Sequence, residues 1–261
     1  MKATKLFNEF FESEKAGGLV LIACTILSLT LANSNFGVEY RDFFQFKFAG
    51  LSIAHWINDG LMAIFFLLIG LELEREIYKG ELSNFKDALF PVFGAMGGLL
   101  LPAGIYFLFN YGTATQSGIG IPMATDIAFA LGILSLLGNK VPLTLKIFLT
   151  ALAIIDDLFA ILIIAVFYTK TLVFANLFIA LGIFALLLVL NRIKVKSLIP
   201  YLIGGIAMWY FMLNSGVHAT ITGILLAFAI PFGNGDEKST SYILQHFLHK
   251  PVAFIILPIF A

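Results

Sequence analysis

Asp156 and Asp157 stand side by side in "TALAIIDDLFAILIIAVF", residues 150–167, a run that is otherwise almost wholly apolar. A charged side chain at the centre of a membrane helix costs about 2.5 to 3.5 kcal/mol on the insertion scale, so the pair needs a reason. Carboxylates that share a partly desolvated pocket titrate nearer neutrality than a solvated aspartate, and protons and a small cation then compete for the same oxygens. If such a site opens to one side at a time, cation release on one face requires proton loading there, and competition becomes exchange. A second polar group falls in "SGIGIPMATDIAFALGIL", where Gly118, Gly120 and Pro122 precede Thr125 and Asp126. Pro122 lacks a backbone donor and the glycines permit a non-helical path, which membrane depth tolerates only where the backbone lines a cavity or is packed in protein. The segment reads as a broken helix. Its freed carbonyls, the Thr125 hydroxyl and the Asp126 carboxylate are hard oxygen ligands for an alkali cation or acceptors for a proton. Two blander readings stay open: an aspartate pair held by hydrogen bonds or by a lysine of another helix, and a plain helix start at Pro122.

The elements that must position these groups are membrane helices. Of the 261 residues 60% are hydrophobic and 12% charged, and the mean hydropathy is +0.96, against roughly 25% charged residues in a soluble domain. A formal net charge of zero offers no basic surface for nucleic acid, and the single cysteine, Cys24, forms no internal disulfide framework. A crossing takes about 20 residues. About nine such stretches are expected, near 16–33, 56–78, 87–109, 119–137, 142–168, 172–191, 198–213, 216–232 and 248–261. The seventh and eighth are short and divided only by "LNSGV", which leaves room for a tight helical hairpin or an interrupted span. Thirteen of the sixteen Lys and Arg fall in the amino-terminal tail and alternate connections, and only Arg41, Lys47 and Lys170 in the opposite set. Basic residues collect on the cytoplasmic side, so the amino terminus is expected there. The longest outside connection, residues 34–54, alternates aromatic with polar residues and predicts a short β-hairpin turning near Ala49-Gly50. Two strands alone are marginal in water, and a partner surface is one way to stabilise them.

Five ordered segments, "FFLLIGLELEREI", "ATDIAFALGILSLLG", "LKIFLTALAIIDDLFAILIIA", "LNSGVHATITGILLAF" and "KPVAFIILPIFA", resemble the NhaA family of bacterial sodium/proton antiporters along essentially the whole chain. The resemblance implies an all-α polytopic fold with a discontinuous fourth helix, forming one transmembrane transporter domain over residues 1–261. It implies a multi-pass protein of the bacterial inner membrane that exchanges Na+ or Li+ for H+ in pH and sodium homeostasis. The ions are cargo, no cofactor is expected, and the protein is not expected to be an enzyme. A homodimer joined through residues 40–54 is a further implication, with the lipid bilayer as the other partner. Carried over by position, Asp157 is the principal Na+ ligand, Asp156 its proton-exchanging partner, and Asp126 with Thr125 the polar support at the helix break. Glu72 and Glu76, one turn apart on one helical face, match an acidic cluster at the cytoplasmic mouth, and His218 matches a histidine linked to pH response; histidine titrates near physiological pH. A solvated helix end for the glutamates and simple packing for His218 stay open. His246 and His249, ahead of the last apolar run, read as interface residues.

The sequence departs from the family in three places. Gln245 stands where many relatives have glutamate, Glu74 occupies a place often basic, and "FIILPIFA" ends the sequence where relatives continue through three further helices. Those helices include a second broken one and a lysine that pairs with the residue matching Asp156, so the inverted repeat is expected to be incomplete and these 261 residues inactive alone. Two other function classes are weighed. An intramembrane aspartic protease would set Asp126 against Asp156 or Asp157, but the chain lacks the "GxGD" pattern of that class. A non-transporting, carboxy-terminally truncated membrane subunit is the structural alternative.

Overall fold

The computed structural model describes residues 2–80, 83, 85–123, 130, 134, 141, 142, 145, 148, 149, 152, 155, 156, 159 and 172–261. The expected spans 119–137 and 142–168 therefore lie largely outside the described residues. Helix α1 (Lys2–Ala32) starts well before residue 16, because "NEFFESEK" continues the same helix. It ends in an elbow: α2 (Gly37–Gln45) leaves the Ala16–Ala32 stretch at 111°. A Cβ at Gly37 would collide with the Ala32 carbonyl oxygen, so the bend needs a glycine, and the hydroxyls of Ser28 and Tyr40, 2.8 Å apart, brace it. The expected extended loop is thus partly helical. Gly37, Tyr40 and Phe44 recur at the 3,4 spacing of a helix and are the least exposed residues of α2, a signal the aromatic–polar alternation masked.

The hairpin itself forms, with two residues per strand. β1 (Lys47–Phe48) runs antiparallel to β2 (Leu51–Ser52), Lys47 opposite Ser52 and Phe48 opposite Leu51. Ala49 at φ 51° and Gly50 at φ 86° give the two positive φ values of a type I′ turn. The Trp56 indole N–H donates to Phe48 O at 3.0 Å and ties the hairpin to the next helix.

That helix, α3 (Ile53–Lys79), organises the rest. Ser52 caps its start by accepting from the His55 N–H, and Trp56–Leu61 is π-helical, with the Met62 N–H donating to Ile57 O. α4 (Phe85–Asn110) follows. A 3-10 helix, Gln116–Met123, then stands where the broken fourth span was expected to begin. α5 (Phe174–Arg192) and α6 (Ile199–Leu213) match the expected boundaries closely. The eighth span does not. α7 (Ile221–Ala229) has nine residues, roughly 14 Å at 1.5 Å per residue, too short to cross alone. Gly216, at φ 87°, opens the turn before it, and Pro231 follows its end. The last helix, α8 (Thr240–Phe260), begins eight residues earlier than expected and contains a π-helical segment, Val252–Ile256, directly after Pro251.

Among the described residues, α3, α8, α5 and the Leu89–Asn110 part of α4 are each long and apolar enough to cross a membrane, and the bent α1–α2 pair can supply a fifth crossing. Among the described residues the larger core cluster is centred on α3, with Leu68, Leu71, Tyr201, Met208, Ala227 and Leu244 among its buried members, and a smaller one gathers around Leu99 and Ala103 of α4. Large apolar side chains on the outside, such as Phe178 and Leu186 of α5, are exposed, as a lipid-facing surface requires. The chain is an all-α polytopic membrane protein carrying one small hairpin.

α7 is packed against α3 and tied to α5. A Cβ at Gly70 of α3 would come within 2.6 Å of Ala227 Cβ, and one at Gly223 of α7 would strike the Ala63 carbonyl oxygen and lie 2.7 Å from Leu67 N. The two backbones touch, which is how small residues bring membrane helices together. Asn191 of α5 reaches the end of α7, donating to Ala229 O at 3.0 Å, and Asn176 of α5 donates to Asn214 O, at the end of α6, at 2.8 Å.

Candidate functional site

The aspartate pair is approached from α4. Phe90 packs on Phe148 with ring centroids 4.9 Å apart, Gly94 faces Leu152, and Leu99 with Ala103 meets Phe159. Residues 148, 152 and 159 therefore run along α4 in the same direction, and Asp156 falls between the second and third contacts. That level is the middle of the apolar stretch Leu89–Asn110. Asp156 is 4% exposed. A buried ionisable group at this depth marks a functional site in a membrane protein more often than a structural one.

The 3-10 helix arrives at the same place. Tyr106 of α4 donates to Thr115 O at 2.8 Å, and Ile119 packs on Leu99 and Ala103 beside Phe159. Non-α backbone, carrying Gly118, Gly120 and Pro122, thus lies against the mid-depth of α4 next to the helix of Asp156. Thr125, Asp126 and Asp157 lie outside the described residues.

Glu72 and Glu76 share a face of α3, as their spacing predicts, and this face turns to α8. Glu72 Oε1 lies 3.7 Å from His249 Nδ1, and Gln245, Arg75 and Glu76 surround the same carboxylate. Arg75 sits 5.5 Å from the ring centre of Tyr242, which in turn stacks on His246. Gln245, His246 and His249 are thus turns of a continuous helix and not a polar approach to it. Their polarity, which placed the last span too late, belongs to the face that meets Glu72. An interface role for the two histidines fits this placement.

His218 is at the other end. It faces Asp59, whose Oδ2 lies 3.5 Å from His55 Nε2. Trp209 Nε1 donates to Asp59 O at 2.7 Å, and its ring stacks on Trp56 with centroids 5.7 Å apart. The structure therefore separates His218 from Glu72 and Glu76, at the hairpin end and the far end of α3. Asp59 was missed in the sequence, although it is a carboxylate inside the expected span 56–78. The reasoning applied to Asp156 would have found it.

A bundle of apolar helices with a carboxylate buried at mid-depth, irregular backbone beside it and titratable clusters at both ends defines a multi-pass membrane protein built to handle small ions. The family described as Na+/H+ antiporter 1 matches residues 8–261, and the chain belongs to that family. Similar proteins include the Na(+)/H(+) antiporter NhaA of Flavobacterium psychrophilum, 73% identical over 261 residues, and NhaA 1 of Flavobacterium johnsoniae, 68% identical over 261 residues. In both comparisons all of this chain is matched, against 68% of the relative. NhaA of Cytophaga hutchinsonii is 65% identical over 261 residues, which cover 67% of its length. These relatives are named as transporters and not as enzymes, and neither the protease nor the non-transporting alternative gains support.

Proposed function

We propose that this protein exchanges Na+ or Li+ for H+ as a secondary active transporter, with Asp157 as the cation ligand and Asp156 as the group that trades its proton for the cation. Membership of the antiporter family supports the exchange. The observation that carries the site is Asp156, buried at mid-depth on a helix that shares α4 with a 3-10 segment leading to Thr125 and Asp126. A desolvated carboxylate is stabilised by a proton or by a small cation, and an aqueous path to one side at a time makes occupancy by one conditional on release of the other. Thr125 and Asp126 supply the remaining polar groups at the helix break.

In the inner membrane of a bacterium, with the amino terminus in the cytoplasm, the Glu72–Glu76–His249 cluster lies at the cytoplasmic mouth and meets incoming cations. His218 then stands on the outer side, beside Asp59. The hairpin and α2, residues 40–54, project on that outer side and form the contact between two copies of a homodimer; Phe43, Phe46 and Phe48 there are exposed.

The test is a fluorescence assay of the pH gradient in everted vesicles carrying the protein expressed from its full reading frame, with Na+, Li+ and K+ added in turn. Na+ and Li+ are expected to dissipate the gradient and K+ to leave it. Asp157→Asn is expected to abolish the response, and exchange surviving that substitution would sink the ligand assignment.

A further inference from the structure

Glu74 is a buried carboxylate that the exchange site leaves unused. It is two residues from Glu72 and from Glu76, so at 100° per residue it points away from their shared face. It continues instead the line Ala63, Leu67, Gly70, along which α3 lies against α7, and so meets the bundle beside the last turn of α7. Its exposure is 4%. Its Oε2 is buried and has no hydrogen-bond partner among the described residues.

The surrounding elements offer little to hold a charge there. α7, "ITGILLAFA", has no titratable side chain. On α3 the charged neighbours are Glu72, Arg75, Glu76 and Lys79; Arg75 lies over Tyr242 and Glu72 beside His249. The connection after α7 carries Asp236, Glu237 and Lys238, α8 carries His246, His249 and Lys250, and the α5–α6 connection carries Arg192, Lys194 and Lys196. Among the described residues none of them forms a salt bridge with Glu74. A carboxylate stripped of water and left unpaired neutralises itself by taking up a proton. One turn further on α3 ends, at the exposed, charged Lys79, so the aqueous phase lies close.

We propose that Glu74 is a second proton-binding site of this protein, separate from the aspartate pair, which holds its carboxyl proton at neutral pH and exchanges it with the aqueous phase at the Glu72 end of α3. The step is protonation alone: water delivers and takes back the proton, and only the carboxyl O–H bond forms or breaks. Its readout is proton binding and not transport, so it stands or fails separately from the antiport reading.

Infrared difference spectra of the purified protein, recorded in Na+-free buffer as pH is stepped from acid through neutral to alkaline, test it. With the aspartate pair removed by Asp156→Asn and Asp157→Asn, a protonated-carboxyl band is expected to remain at neutral pH, to persist when Glu72→Gln is added and to be lost when Glu74→Gln is added. Identical bands in the wild type and Glu74→Gln would overturn the proposal. Should Glu74→Gln fail to fold, carbon-13 labelling of glutamate in Glu72→Gln decides: the glutamate part of the neutral-pH band moves with the label, and a band of which no part moves refutes the site.

Discussion

Two faces of α3 are built on opposite principles. Toward α7, Gly70 and Gly223 bring backbone against backbone with no room for a Cβ. Toward α8, long side chains meet at ordinary distances: Glu72 and His249 at 3.7 Å, Arg75 and Tyr242 at 5.5 Å. The first face has one solution, because main-chain atoms cannot turn aside. The second can exchange partners by changing rotamers, so it can respond to protons or ions while α3 stays fixed on α7.

The contrast is broken most directly at the seam. Gly223→Val sets a branched side chain against the Ala63 carbonyl and is expected to cost about 3 kcal/mol or more, seen as loss of folded protein in detergent thermal unfolding. Gly70→Ala meets the Ala227 Cβ, a softer neighbour, and should cost about 1 to 3 kcal/mol by the same measurement. If both were as well tolerated as changes on the α8 face, the seam would not be rigid. Trp209→Phe removes the 2.7 Å bond to Asp59 O and is expected to cost about 1 kcal/mol, leaving the seam untouched. On the adaptable face, His249→Gln should change the thermal midpoint by the equivalent of less than about 1 kcal/mol, while shifting the pH dependence of exchange in vesicles. The smallest effect is expected far from both faces. Ala49→Gly relieves a positive φ and should stabilise the hairpin by about 0.5 to 1 kcal/mol, read as slower amide exchange at Ile53, whose N–H bonds Phe46 O.

Sequence periodicity located the helices that are apolar throughout. The expected 56–78, 87–109, 172–191 and 198–213 fall within a few residues of Ile53–Lys79, Phe85–Asn110, Phe174–Arg192 and Ile199–Leu213, since each run ends at a polar or helix-breaking residue. It failed where one helix carries two kinds of environment. Thr240–Lys250 is polar because it faces Glu72 and Arg75, and polarity alone reads as loop. α7 looked like a crossing because most of its residues are buried by protein and none is exposed, which in composition is indistinguishable from burial by lipid. Asp156 declared itself by standing in an apolar run. Asp59 and Glu74 did not: the first was absorbed into a span, and the second into "LELERE", where three carboxylates look alike and only the fold shows which one is enclosed. The seam was invisible for another reason, since Gly70 meets Ala227 and Gly223 meets Ala63, partners far apart in sequence that nothing local pairs.

The two π-helical segments, Trp56–Leu61 and Val252–Ile256, bear on how the gene can change length. A π turn holds one residue more than the α turn it replaces. Deleting one residue inside Val252–Ile256 closes the turn to an α turn and leaves the faces on either side in phase. The same deletion between Ala63 and Gly70 would rotate everything beyond it by about 100°, carrying Glu72 off His249 and Gly70 off Ala227. Within these two long helices, length variation is thus confined to their π turns.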